Sequence, residues 1–131
     1  MTQILDILRK EESETLEFKE SFGREAVETI SAFANTKGGV LLVGVNDKGA
    51  VVGIHSTKNA LKDWANQISQ VTGGLHPSIE AFAVKSKKMV MIQVDENRIK
   101  PVMCHGRAFI RSGSTTRQMT IEEITRCVLA N

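Results

Sequence analysis

An α+β fold is what this 131-residue chain predicts, and three features point to it. Apolar residues recur at helical spacing in three stretches, and a helix-start signature marks a fourth near the end. Between them lie short runs that alternate or are apolar throughout, as strands do, separated by turns rich in glycine and polar residues. The expected architecture is one compact domain over residues 1–131, with a mixed or antiparallel sheet of about five to six strands and about four helices.

Each element follows from its own pattern. Ile4, Leu5, Ile7 and Leu8 predict a first amphipathic helix ending near Lys10. "TLEFK" then alternates, so Leu16 and Phe18 are expected to face a core while Thr15, Glu17 and Lys19 face out, as in a half-buried strand. Gly23 opens a second helix with Ala26, Val27, Ile30, Phe33 and Ala34 as its apolar stripe, and the loop 35–39 ends it. "VLLVGV", residues 40–45, is apolar on both faces and reads as a central buried strand. "NDKGA" turns the chain, and "VVGI" is expected to return as a hairpin partner. Leu61, Trp64, Ala65 and Ile68 predict a helix over residues 59–71, closed by Gly73, Gly74 and Pro77. "IEAFAV" and "MVMIQV" are two strands around the turn "KSKK", and "AFIRSGS" is a last strand running into a polar loop. Thr120 followed by Glu123 is a capping box, in which hydroxyl and carboxylate each satisfy a free backbone N–H at a helix start.

Composition bounds the function. Hydrophobic residues make up 41% and charged residues 24%, which suits a folded domain and argues against disorder. The formal charge is only +2, so a polyanion site must come from local clustering. Cys104 and Cys127 lie far apart at no metal-ligand spacing, and they are expected to be reduced thiols of a cytoplasmic protein. "MTQILDILRKEE" has too short an apolar stretch for a signal peptide, and no run approaches a membrane span. His55, His76 and His105 are scattered, while Trp64, Met89, Met91 and Met103 sit in apolar patterns and read as core. Five Phe, one Trp and no Tyr leave few side chains for stacking bases, so recognition of backbone and shape is expected.

Two groups of residues carry chemistry. Glu12 and Glu17 are five apart, a spacing that separates them on a helix or a strand. A turn between the first helix and the strand removes that objection, and Asp47 follows the central strand at its C-terminal end. Three carboxylates from two strand ends could hold one or two divalent cations, which activate water and polarise a phosphoryl oxygen. Against this, Glu-rich turns are commonly solvated, and "NDKG" suits a turn on its own. The second group is basic and glycine-rich. Lys19, Lys37, Arg107, Arg111 and Arg117 could neutralise phosphates along one groove, with Gly38, Gly39 and Ser114 letting backbone approach. Neither "NTKGG" nor "RSGSTTR" is a Walker A loop, and taken singly each is equally an ordinary turn.

"ESETLEFKES", "ISAFANTKGGVLLVGVNDKGAVVGI" and "AFIRSGSTTRQMT", in that order, closely resemble the Schlafen-type Alba-like domain family. The resemblance runs from about Glu12 to the last helix. It implies a nucleic-acid-binding domain of the kind described for bacterial transcriptional regulators, often preceding a winged helix or an ATPase-like region. Animal Schlafens carry a related core that is an RNA nuclease with two glutamates five apart and a later aspartate; by resemblance these fall on Glu12, Glu17 and Asp47. That alternative makes the chain a metal-dependent endoribonuclease with Mg²⁺ or Mn²⁺ as cofactor. The animal core pairs two lobes around a groove, so this single lobe would form a two-fold homodimer to match it. A third alternative is a dimerisation or interaction module. The leading expectation is DNA or RNA binding through phosphates, with no membrane partner.

Overall fold

A computed structural model describes residues 2–55 and 58–131. The elements run α1 (Thr2–Leu8), β1 (Leu16–Lys19), α2 (Arg24–Asn35), β2 (Gly39–Val43), α3 (Lys58–Ser69), β3 (Ser78–Val84), β4 (Lys87–Val94), β5 (Phe109–Ser112), β6 (Thr115–Gln118) and α4 (Ile121–Ala130). The fold is α+β. A four-stranded mixed sheet has the order β1-β2-β4-β3, with β1 and β2 parallel and the other pairs antiparallel, and β5 and β6 form a separate hairpin.

Side-chain alternation divides the four-stranded sheet between two cores. Leu41, Val43, Val90, Ile92 and Val94 face α2 and α3, where they pack with Val27, Ile30, Phe33, Trp64 and Ile68. Leu16, Phe18, Leu42, Met89 and Met91 face the other way and are covered by Ile4 of α1. Every residue of α2 from Thr29 to Asn35 is buried, because the sheet lies on one side of the helix and β5–β6 on another. Ser31, Ala32 and Ala34 are small enough to allow that approach. Asn35 closes the helix against the segment before β5. Its amide nitrogen donates to the Val102 and Phe109 carbonyls at 3.0 and 2.8 Å, and its oxygen accepts from Val102 N–H at 2.7 Å.

Three expectations are corrected. "VVGI" is not a strand: Val51 makes one isolated bridge to Val45, and the N–H groups of Val52 and Gly53 both donate to the Gly44 carbonyl. Gly44 and Gly53 have φ of 92° and 87°, and that left-handed backbone cannot continue a ladder. "AFIRSGS" does not run into a loop; it turns into β6, whose polar "TTRQ" lacks the apolar alternation that marks strands. Glu17 does not face solvent. Its register partner Leu41 points toward α2, so Glu17 does too, and that face is covered.

The capping box of α4 forms as expected, with Thr120 Oγ1 accepting from Glu123 N–H. This helix leaves Ile121, Val128 and Leu129 exposed. Trp64, Met89 and Met91 are buried in the core, and Met103 is partly covered. Both cysteines are free. Among the described residues no helix is long and apolar enough to cross a membrane.

Candidate functional site

The acidic motif begins in the turn between α1 and β1. There the chain bends so that Glu12 Oε2 accepts from Phe18 N–H at 3.2 Å, and Glu12 and Glu17 come within hydrogen-bond reach of each other. Burial, the hydrogen bond to Glu17 and Glu17's like charge together push Glu12 up to about 7, outweighing the Phe18 N–H and Lys19. A protonated Glu12 donates to Glu17 while accepting from Phe18, which suits both contacts.

Glu17 in turn is held by Arg111. Arg111 Nη1 donates to Glu17 Oε1 at 2.7 Å and to Thr116 Oγ1 at 3.0 Å. Its Nε donates to the Glu14 carbonyl, and Nη2 to those of Ser13 and Leu16. All five guanidinium donors are therefore used. The group also lies 5.0 Å from the centre of the Phe33 ring, and its side chain is fully covered. Arg111 was expected on a phosphate-binding surface. It is instead the internal link between the β1 turn and the β5–β6 hairpin.

Asp47 does not join the two glutamates. It is exposed in the turn after β2, beside a depression of about 390 Å³ shared with Lys19, Glu20, Arg24 and Glu25. Among the described residues no three His, Cys, Asp or Glu side chains come together as a set that could hold a metal ion. Glu12 and Glu17 are brought together and Asp47 is not, so the structure assembles two of the three carboxylates expected to hold Mg²⁺ or Mn²⁺, with Glu17 also paired to Arg111.

The expected cations are dispersed, and most face a carboxylate. Lys19 pairs with Glu25 at 3.2 Å, and Lys37 pairs with Glu14 at 3.1 Å. Arg117 makes a two-pronged contact to Glu123, 2.8 Å on each prong, which raises Arg117 and lowers Glu123 to about 2. Arg107 is exposed in a turn closed against Cys104. Ser114 lies at the β5–β6 tip, over a depression of about 360 Å³ lined by Glu17, Lys19, Glu25 and Glu28. The two glycines answer to the chain itself. A Cβ on Gly38 would come 2.6 Å from the Val94 carbonyl oxygen, and one on Gly39 would come 2.6 Å from the Phe33 ring.

A different basic cluster was missed. Lys85, Lys87 and Lys88 stand exposed at the β3–β4 turn, with no ion-pair partner among the described residues. Lys85 and Ser86 have φ of 49° and 66°, a primed turn whose twist matches that of a two-residue hairpin. The antiparallel register sets this turn beyond the C-terminal end of β2, where Lys48 also lies. Three lysines in four residues at a hairpin turn was the available signal.

The Glu12 pair makes a pH prediction. Its folded value near 7 lies above the ordinary 4.5, so its stabilising contribution is full below about 4.5 and is lost as pH rises through about 7. The depressed Glu123 acts in the opposite sense, at lower pH, and the comparison with Glu12→Gln separates the Glu12 contribution from other groups. Urea midpoints should fall from pH 5 to pH 8 in the parent, and Glu12→Gln should flatten that fall.

A sheet with helices on both faces, a buried acid–arginine link and a lysine-tipped hairpin together make up a small α+β domain. The chain belongs to the Schlafen AlbA_2 family, whose model matches residues 12–120. It is similar to the N-terminal domain of a Nitrosomonas europaea protein named for its relation to the ATP-dependent DNA helicase RecG. Identity there is 30%, with 92% of this chain and 93% of that domain covered, at a TM-score of 0.63. It shares its fold with the DIP2311 protein of Corynebacterium diphtheriae at 21% identity and a TM-score of 0.65. That match covers 90% of this chain but 26% of the longer one, so the chain spans about a quarter of that protein's length. Among curated proteins, none matches the chain.

Proposed function

We propose that the chain is a nucleic-acid-binding domain that holds the phosphate backbone on the β3–β4 hairpin. The observation that carries this reading is the cluster of Lys85, Lys87 and Lys88, exposed and without carboxylate partners among the described residues, whereas most of the expected cations face a carboxylate. The family supports it, as does the kinship with a domain from a protein named for a DNA helicase. Unpaired lysines release counterions from a polyanion, whereas a lysine already facing a glutamate must first give up that partner. Lys48, in the turn after β2, lies at the same end of the sheet. Regulation of transcription is one use such a domain would serve.

The test is a salt titration with labelled single-stranded and duplex DNA and RNA. Each phosphate contact contributes about 0.7–0.9 to the slope of log affinity against log salt. Replacing Lys85, Lys87 and Lys88 together by Ala should lower that slope by about 2 or more, uniformly across sequences. The paired Arg117→Ala should change it little. An unchanged slope in the triple variant would move the interface elsewhere.

A further inference from the structure

The four-stranded sheet has two edges, and they are finished differently. At β1 the chain closes its own edge. Leu16 exchanges hydrogen bonds with Ser13, at 2.9 Å through its carbonyl and 3.4 Å through its N–H, and Phe18 N–H donates to Glu12 Oε2. β3 forms the other edge, with β4 on one side only. Its two-residue primed turn makes the flanking Val84 and Lys87 a hydrogen-bonded pair, so alternation directs Ser78, Glu80 and Phe82 to β4 as well. The N–H and C=O groups of Ile79, Ala81 and Ala83 therefore point outward, and among the described residues nothing bonds to them. The usual edge guards are missing too. Residues 78–84 run in unbroken register against β4, without a bulge, and contain no Pro, Lys or Arg. Ala81 and Ala83 are exposed.

We propose that this edge pairs antiparallel with β3 of a second copy of the chain, about a two-fold axis at Ala81. The inference does not depend on the nucleic-acid reading above. The strand is its own complement. With Ala81 opposite the partner's Ala81, Ile79 meets the partner's Ala83, and each outward N–H finds an outward carbonyl. The residues between suit the same register: Glu80, the one charge in the strand, lies across from the partner's Phe82 and not from a second glutamate. Methyl side chains at 81 and 83 let another backbone approach closely. A foreign strand bound at an edge is selected by pockets for its alternate side chains, and two methyl groups build none. Two four-stranded sheets would join into one of eight strands, inside the usual range of about two to ten.

The experiment follows association of the full chain by sedimentation velocity across a wide range of concentration, with amide hydrogen exchange at both ends of that range. The parent should form a dimer. The Ile79, Ala81 and Ala83 amides should be protected when the protein is concentrated and exchange freely on dilution, while those of Glu80 and Phe82 stay protected throughout. Ala81→Lys sets two like charges against each other on the axis and should weaken the dimer about tenfold or more. Ala81→Pro removes only an outward N–H, which an edge strand tolerates, and should weaken it similarly with the parent's circular dichroism retained. Should the proline variant fail to fold, the exposed lysine decides alone. A chain that stays monomeric at every concentration overturns the proposal, as does protection of the three amides in the monomer. A dimer that Ala81→Lys leaves intact also overturns it, and moves the contact to another surface such as the exposed Ile121, Val128 and Leu129 of α4.

Discussion

Arg111→Met should destabilise the fold by about 3–5 kcal/mol, the usual cost of stranding one member of a buried ion pair. Glu17 would be left covered with no counter-charge, and the Ser13, Glu14 and Leu16 carbonyls would lose their donor together. Against a typical total of about 5–15 kcal/mol, such a loss leaves a marginal domain. Arg111→Lys should fall between parent and Met, because an ammonium keeps the charge but has three donors and no planar fork. Adding Glu17→Leu to Arg111→Met should recover part of the loss by removing the stranded charge, although the three carbonyls remain without a partner. Urea unfolding of the four proteins measures all of this. A loss below about 1 kcal/mol for Arg111→Met would mean that the link is dispensable.

Asn35→Ala should cost about 3 kcal/mol, for a different reason. No charge is involved, but one side chain satisfies three backbone groups in a buried place: Val102 N–H and the carbonyls of Val102 and Phe109. Each would be left without a partner at about 1–3 kcal/mol, less what water entering the vacated space restores. Asn35→Asp should be worse than Ala, since it sets a carboxylate against two carbonyl oxygens. Hydrogen exchange gives the specific readout: the Val102 amide should lose protection in Asn35→Ala by more than amides of β2 do.

These two residues show where reading along the chain stops. The helices were legible because their apolar periods are local, and β2 because a run apolar on both faces has to be buried. Alternation in "TLEFK" correctly divided Leu16 and Phe18 from Glu17. It could not tell that the second face is covered too, because the covering arginine arrives 94 positions later. The strand β6 escaped for lack of apolar residues, and "VVGI" misled because it has strand composition on glycine-bent backbone. The candidate site divides in the same way. A bend does bring Glu12 to Glu17, whereas Asp47 stays apart, and that separation is a tertiary fact no spacing reveals. Lys85, Lys87 and Lys88 were in plain view as "KSKK". That they stand apart from the other cations, with no ion-pair partner among the described residues, is likewise set by the fold and not by spacing.

The Glu17–Arg111 link also bears on how this lineage can change. Neither residue can lose its charge alone without stranding the other's, and the two lie far apart in the sequence. Descent should therefore treat positions 17 and 111 as a single inherited character, passing from the acid–base pair to an apolar pair in one step or through a weakened intermediate. A relative that keeps the glutamate but lacks the arginine would have freed its carboxylate for other work.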